Sequence, residues 1–137
     1  MGGRILLWLS GFVFIGYGLL GIAAPGVPAG FAGLVMSNGD AYAEISSMYG
    51  GLQTGLGVFC VLATLRPAFY RGGLAVLVLG IGGVGLTRLL GGVMAPDPVT
   101  FYTWGATAYE LATAALAALA WRVDLVEERL RNSSPAA

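Results

Sequence analysis

The sequence predicts an all-α fold: a four-helix transmembrane bundle with both termini in the cytoplasm. Three observations predict it. Of the 137 residues, 57% are hydrophobic, only 10% are charged and 23 are Gly, a balance that belongs to membrane proteins. Four stretches carry few or no charges: Ile5 to Ala24, Glu44 to Leu65, Leu74 to Met94 and Phe101 to Trp121. At about 1.5 Å per residue, each reaches across a hydrocarbon core of roughly 30 Å. All basic residues are Arg, and six of the seven (Arg4, Arg66, Arg71, Arg122, Arg129 and Arg131) lie at span ends on one side, while residues 25–43 and 95–100 hold none. The positive-inside rule then places both termini and residues 66–73 in the cytoplasm. Residues 1–121 form the bundle and 122–137 a short cytoplasmic tail.

Helix one follows Arg4 and ends in small residues at Gly21 to Ala24, as a signal peptide would, but its apolar core is longer than a signal's and it is expected to remain as a span. Pro25 and Pro28 stop it. Phe31, Leu34, Val35 and Met36 read as a short interfacial helix, and Ser37-Asn38-Gly39-Asp40 as a turn. This connection is either a packed connector or a lid over an outer-leaflet site. Helix two carries Ser46, Tyr49, Gly50, Gln53 and Gly57, with Gly51 and Gly55 as a small-xxx-small pair. The short 66–73 loop and the Ala95-Pro96-Asp97-Pro98 connection make helices two, three and four successive antiparallel neighbours.

Helix three bears Gly80, Gly83, Thr87 and Gly91 as a packing stripe, with Arg88 on its flank. On helix four, Thr103, Ala106, Thr107, Glu110, Thr113, Ala114 and Ala117 share one face at about 100° per residue. This small-residue face is expected to point into the bundle, and Leu111, Leu116 and Leu119 toward lipid. Aromatics mark both interfaces, Trp8, Tyr70 and Trp121 inside and Phe31, Tyr42, Tyr102 and Trp104 outside. An offset of 70 residues aligns Leu19-Leu20-Gly21 with Leu89-Leu90-Gly91, Pro28 with Pro98 and Phe31 with Phe101. It reads as a parallel two-helix repeat, with chance matching of Gly and Leu as the alternative.

Glu44, Arg88 and Glu110 are the charges that break this pattern. A charge at membrane depth costs on the order of 3 kcal/mol, so it marks an ion path, a ligand counter-charge or an obligatory pair. Arg88 lies about 9 Å and Glu110 about 14 Å below the outer ends of their helices. Glu44 stands at the outer mouth. Arg cannot shed its proton, so it needs an anion, and Glu110 is nearest in depth, with Glu44 solvated or sharing Arg88. Glu44, Tyr49, Gln53, Arg88, Thr107 and Glu110 therefore form the candidate ligand or ion pocket. Gly50, Gly51, Gly55, Gly83, Gly91 and Ala114 are the candidate packing positions.

There is no His and no Lys, which removes His-ligated haem, His-rich di-iron centres and His acid–base catalysis; no metal site and no cofactor are expected. Cys60 has no charged neighbour to make a thiolate and reads as an apolar filler. Gly80-x-Gly82-Gly83-x-Gly85 sits inside a span and follows no strand, so it is no dinucleotide loop. Zero formal charge implies no nucleic-acid partner. The tail continues helix four, with Glu127 and Arg131 at i,i+4 and Val123, Val126 and Leu130 as one stripe, read as a solvated helix end.

Glu44 before Tyr49-Gly50-Gly51, then Gly55 and Gly57, Arg88-Leu89-Leu90-Gly91 and Glu110 together resemble an uncharacterised family of small bacterial four-helix membrane proteins, a domain of unknown function, over residues 5–122. The resemblance implies a bacterial inner-membrane location and the same three charged positions, and no activity. Proteins of the DoxX type are similar only in outline. Small multidrug resistance transporters place an essential acid in helix one, where this chain has none.

The expected function is non-enzymatic: a membrane binding or accessory protein whose outer-half pocket holds a lipid, a quinone-like amphiphile or the helix of a larger complex. The alternative is a proton- or ion-coupled transporter acting as an oligomer. Carboxylate catalysis by Glu44 and Glu110 ranks third, since a mouth residue and a mid-depth residue make no evident acid and base pair.

Overall fold

The computed structural model describes residues 2–133; Met1 and the last four residues of the expected tail lie outside the described residues. Every regular element among the described residues is helical: α1 (Gly2–Ala23), α2 (Gly26–Phe31), α3 (Gly39–Leu65), α4 (Pro67–Met94) and α5 (Phe101–Ser133). The termini of α1 and α5 share one end of the molecule, here the terminal end; the connections 24–38 and 95–100 occupy the loop end.

Three helices, α1, α3 and α4, are long and apolar enough to cross a membrane. The fourth expected span falls on α5, which is not among them: Tyr102, Thr103, Thr107, Tyr109, Glu110 and Thr113 crowd polar groups into its first half. Much of the surface of α1 and α4 is apolar. Leu9, Phe12, Leu19, Leu79, Leu86 and Val93 are all more than half exposed, a cost in water and the ordinary condition of a lipid-facing side chain.

Several boundaries differ from those expected. The 66–73 segment is not a loop, because Pro67 occupies the first turn of α4, where its missing N–H is no loss and its fixed φ favours a helix. The reversal between α3 and α4 is confined to Arg66, held extended at φ −117° and ψ 109°. Residues 37–40 do not form a free turn. Asn38 instead caps α3, its side-chain oxygen accepting from the Ala41 N–H at 2.9 Å. The short connecting helix lies at Gly26–Phe31, ahead of the expected stretch, with Pro28 and Ala29 buried. The described part of the tail is continuous α5 to Ser133.

The helices pack as α1 on α3 and α4 on α5, with α1 also touching α5. Leu7, Phe14, Cys60, Ala63, Leu74, Leu77, Ile81 and Ala117 make the core, nearer the terminal end. Both α3 and α4 contain a π-helical stretch, Ser46–Leu52 and Leu77–Ile81, a widening of the helix often found at functional sites.

The α1–α3 contact is made by backbone. A Cβ on Gly18 would stand 2.5 Å from Thr54 N, one on Gly21 2.5 Å from Tyr49 O, and one on Gly57 2.7 Å from both Gly11 O and Ile15 N. Gly50 joins this contact, its added Cβ meeting Ile22 N at 3.0 Å. Gly51, Gly55, Gly83 and Gly91 do not pack as expected, since a Cβ on any of them meets nothing within 4 Å. The close glycine face of α3 is the one carrying Gly50 and Gly57, while Gly51 and Gly55 lie off it. Ala114 does pack, its Cβ 3.1 Å from the position of a Cβ on Gly82. Leu111 turns inward and lies 3.0 Å from a Cβ position on Gly85, whereas Leu116 and Leu119 are exposed.

These contacts set opposite outcomes for similar substitutions. Gly57→Ala and Gly18→Ala should each destabilise the protein by about 1–3 kcal/mol, because backbone must move. Gly55→Ala should stabilise it by up to about 1 kcal/mol through helix propensity. Thermal unfolding of all three in one detergent checks this ranking.

Candidate functional site

Arg88 projects from the loop-end half of α4, three residues after Gly85. At Gly85 a Cβ would already meet Glu110 Cβ and Leu111 Cδ2 at 3.0 Å, so α4 and α5 approach as closely there as a glycine allows. That proximity lets the guanidinium reach across. Arg88 Nε donates to both Glu110 oxygens, at 2.9 Å and 3.2 Å, and Nη2 donates to Glu110 Oε1 at 2.8 Å. The geometry is the two-pronged one that a planar guanidinium and a carboxylate share. Exposure is 27% for the Arg88 side chain and 12% for that of Glu110.

Three phenols stand near Arg88. Tyr49, from the π-helical stretch of α3, and Tyr102, from the start of α5, lie within electrostatic reach of Arg88, as does Tyr17 of α1. The Tyr17 and Tyr102 hydroxyls are 3.4 Å apart. Phe31, at the end of α2, stacks on the Tyr102 ring with centroids 5.9 Å apart. A run of aromatic and polar groups thus leads from the 24–38 connection to the ion pair. The α2 connection is both packed, through Pro28 and Ala29, and placed over Tyr102.

The other expected site residues divide. Gln53, one turn beyond Tyr49, buries its Oε1 with no hydrogen-bond partner among the described residues. Such an acceptor calls for a donor. Thr107 is buried but spends its hydroxyl on the Thr103 carbonyl at 2.8 Å. Glu44 is exposed and makes no ion pair among the described residues, so Arg88 is not shared with it. Cys60 is fully buried in the core.

Tyr17 and Tyr102 were absent from the expected site. Tyr17 is legible in retrospect as the one Tyr inside the apolar stretch of helix one, whereas Tyr102 reads as an interface aromatic. A second ionic cluster also escaped: Arg71 Nε bonds Asp124 at 2.7 Å and Nη2 bonds Glu128 at 2.5 Å. The i,i+4 spacing of Asp124 and Glu128 on one helix face was its signal. A groove of about 1030 Å³ lies at the terminal end, lined by Arg4, Tyr70, Arg71 and Asp124 among others, and includes none of the six residues of the expected pocket.

The ion pair is open to a direct test. Glu110→Gln should cost about 3 kcal/mol because it strands a cation that cannot be neutralised. Arg88→Leu should cost less, since a carboxylate left alone can bind a proton. The double variant should recover much of the Glu110→Gln loss; additive losses in thermal unfolding would mean the two side chains do not act as a unit.

A family model described as a domain of unknown function, DUF4345, matches residues 3–121. No curated protein and no solved structure matches the chain.

Proposed function

The chain belongs to the DUF4345 family of unknown function, and we propose that it is a non-enzymatic binding or accessory protein of the bacterial inner membrane, holding a neutral amphiphile at the Arg88–Glu110 cluster. In this reading α5 is the fourth span, its polar face sheltered against α4, and both termini are cytoplasmic. The Arg asymmetry supports that orientation. The terminal end is then the cytoplasmic one, and the cluster lies in the outer half.

The observation that carries the reading is the two-pronged pair. Both Glu110 oxygens are engaged and its charge is balanced by Arg88. A carboxylate so held is a strut and a fixed dipole, poorly suited to collecting and releasing protons. With the charges balanced, the remaining capacity is hydrogen bonding: phenols at Tyr17, Tyr49 and Tyr102 and an unpaired acceptor at Gln53. A ligand with carbonyl or hydroxyl oxygens on an apolar body, such as a quinone-like amphiphile, matches those groups better than an ion. Transport would require Glu110 to leave Arg88 during each cycle.

Two measurements test the proposal. Cysteines placed at Asn38 and Asp97 in a Cys60→Ser background should label from outside intact spheroplasts, and one at Ser133 should not. The chain extracted in mild detergent should carry a bound amphiphile identifiable by mass spectrometry. The folded double variant Arg88→Leu with Glu110→Gln should lose it. Substrate-linked proton release that Glu110→Gln abolishes in folded protein would instead favour the transporter.

A further inference from the structure

The groove at the terminal end lies far from the Arg88–Glu110 cluster and is built differently. It runs between the start of α1 and the last half of α5, with the first turns of α4 as its floor. Its lining changes character along its length. On α5 it passes from Leu116, Leu119 and Val123 to Asp124, Glu127, Glu128 and Arg131, about 10 Å of each. On α1 the change falls between Ile5 and Arg4. A Cβ on Gly3 would meet Ala120 Cβ at 3.1 Å and the Tyr70 hydroxyl closer still, so the change on α1 lies about 7 Å nearer the loop end than that on α5, a gap narrowed because the Arg4 side chain leans back toward the start of its helix. One end of the groove is therefore apolar and the other charged on both walls, the pattern of a site for an amphiphile lying at a membrane face.

The charges specify the head. Arg71 is already bonded to Asp124 and Glu128, and that trio carries one excess negative charge. Arg4, Arg131 and Glu127 make no ion pair among the described residues. Arg4 rests over the Tyr70 ring at 6.0 Å, a contact that engages the face of its guanidinium and leaves its N–H edge to donate. Two cations without a carboxylate stand beside an acidic group in excess, with formal charge cancelling over the six side chains. A head that is purely anionic satisfies the arginines and leaves the acids; a zwitterion satisfies both.

We propose that this groove binds a zwitterionic phospholipid with a primary ammonium, its phosphate at Arg4 and Arg131, its ammonium at Glu127 and the Arg71 trio, and an acyl chain along Leu116 and Leu119. A primary ammonium donates hydrogen bonds to carboxylates. A quaternary ammonium cannot, and recognition of one relies on an aromatic cage, whereas the one ring on the floor, Tyr70, already lies under Arg4. The inference is independent of the outer site and needs only that the helices lie in a membrane.

Native mass spectrometry of the delipidated full chain in detergent tests it, using phosphatidylethanolamine, phosphatidylcholine and phosphatidylglycerol of identical chain length. The ethanolamine lipid should be retained about tenfold better than either other lipid, the worth of one charge-assisted hydrogen bond. Glu127→Gln should bring it near parity with phosphatidylcholine, and Arg4→Gln should weaken all three, with unchanged thermal unfolding in the absence of lipid. The double variant Arg88→Leu with Glu110→Gln should keep the preference, which separates failure here from failure of the outer site. Equal retention of the three lipids would overturn the proposal. So would indifference to Glu127→Gln, or competition by glycerophosphoethanolamine as strong as by the diacyl lipid.

Discussion

Arginine keeps its charge at any pH a protein survives, so a chain that sets Arg88 about 9 Å inside the end of an apolar helix must supply an anion for it. Glu110 is that anion, and the consequences spread from the contact. To bring the carboxylate within reach in two-pronged geometry, α4 and α5 must close to the distance that Gly85 permits. The approach buries Thr107, Thr113 and Ala117 on the same face of α5 and gives that helix a sheltered side for its polar residues. The Thr107 hydroxyl bonds back to the Thr103 carbonyl of its own helix, so its burial costs little desolvation. A helix too polar to be counted as a span by its own composition thereby acquires a partner that makes burial tolerable.

The other long contact uses different means. Between α1 and α3 there is no ion pair among the described residues, and the helices meet through bare backbone at Gly11, Gly18, Gly21, Gly50 and Gly57. Dispersion between close-packed backbones is the main attraction available where lipid offers no hydrophobic drive. Tyr17, Tyr49 and Tyr102 collect near Arg88, where the α1–α3 and α4–α5 pairs face one another. Tyr17 comes from the first pair and Tyr102 from the second, so their hydroxyl contact ties the halves in the part of the fold where binding is proposed.

Charge and hydropathy patterns were the legible part of the fold. The inward stripe on α5 could be read because Thr, Ala and Glu recur at helical spacing around one charge, and the depth match of Arg88 and Glu110 followed from helix rise alone. Glycine packing was not legible to the same degree. Gly51 and Gly55 have the spacing of a contact motif, yet the face that closes on α1 carries Gly50 and Gly57, and spacing alone does not choose between neighbouring faces. The partner glycines of α1, seven and three residues apart at Gly11, Gly18 and Gly21, held the missing information. Glu44 was linked to the site by charge alone, and its exposure separates it. The helical 67–73 segment was hidden by Pro67, which marks a break and a helix start equally well.

The claim that bears the most weight is that Glu110 is held as a charged partner of Arg88 within the bilayer. Solid-state NMR of the chain reconstituted in lipid, labelled with ¹³C at Glu and ¹⁵N at Arg, tests it by dipolar recoupling, with Glu110→Gln identifying the carboxyl signal. The account predicts a carboxylate carbon coupled to guanidinium nitrogens at about 3.5–4 Å, the separation that hydrogen-bond lengths near 2.9 Å impose. A Glu110 carboxyl that shows no coupling to arginine, or that carries its own proton at neutral pH, would contradict it.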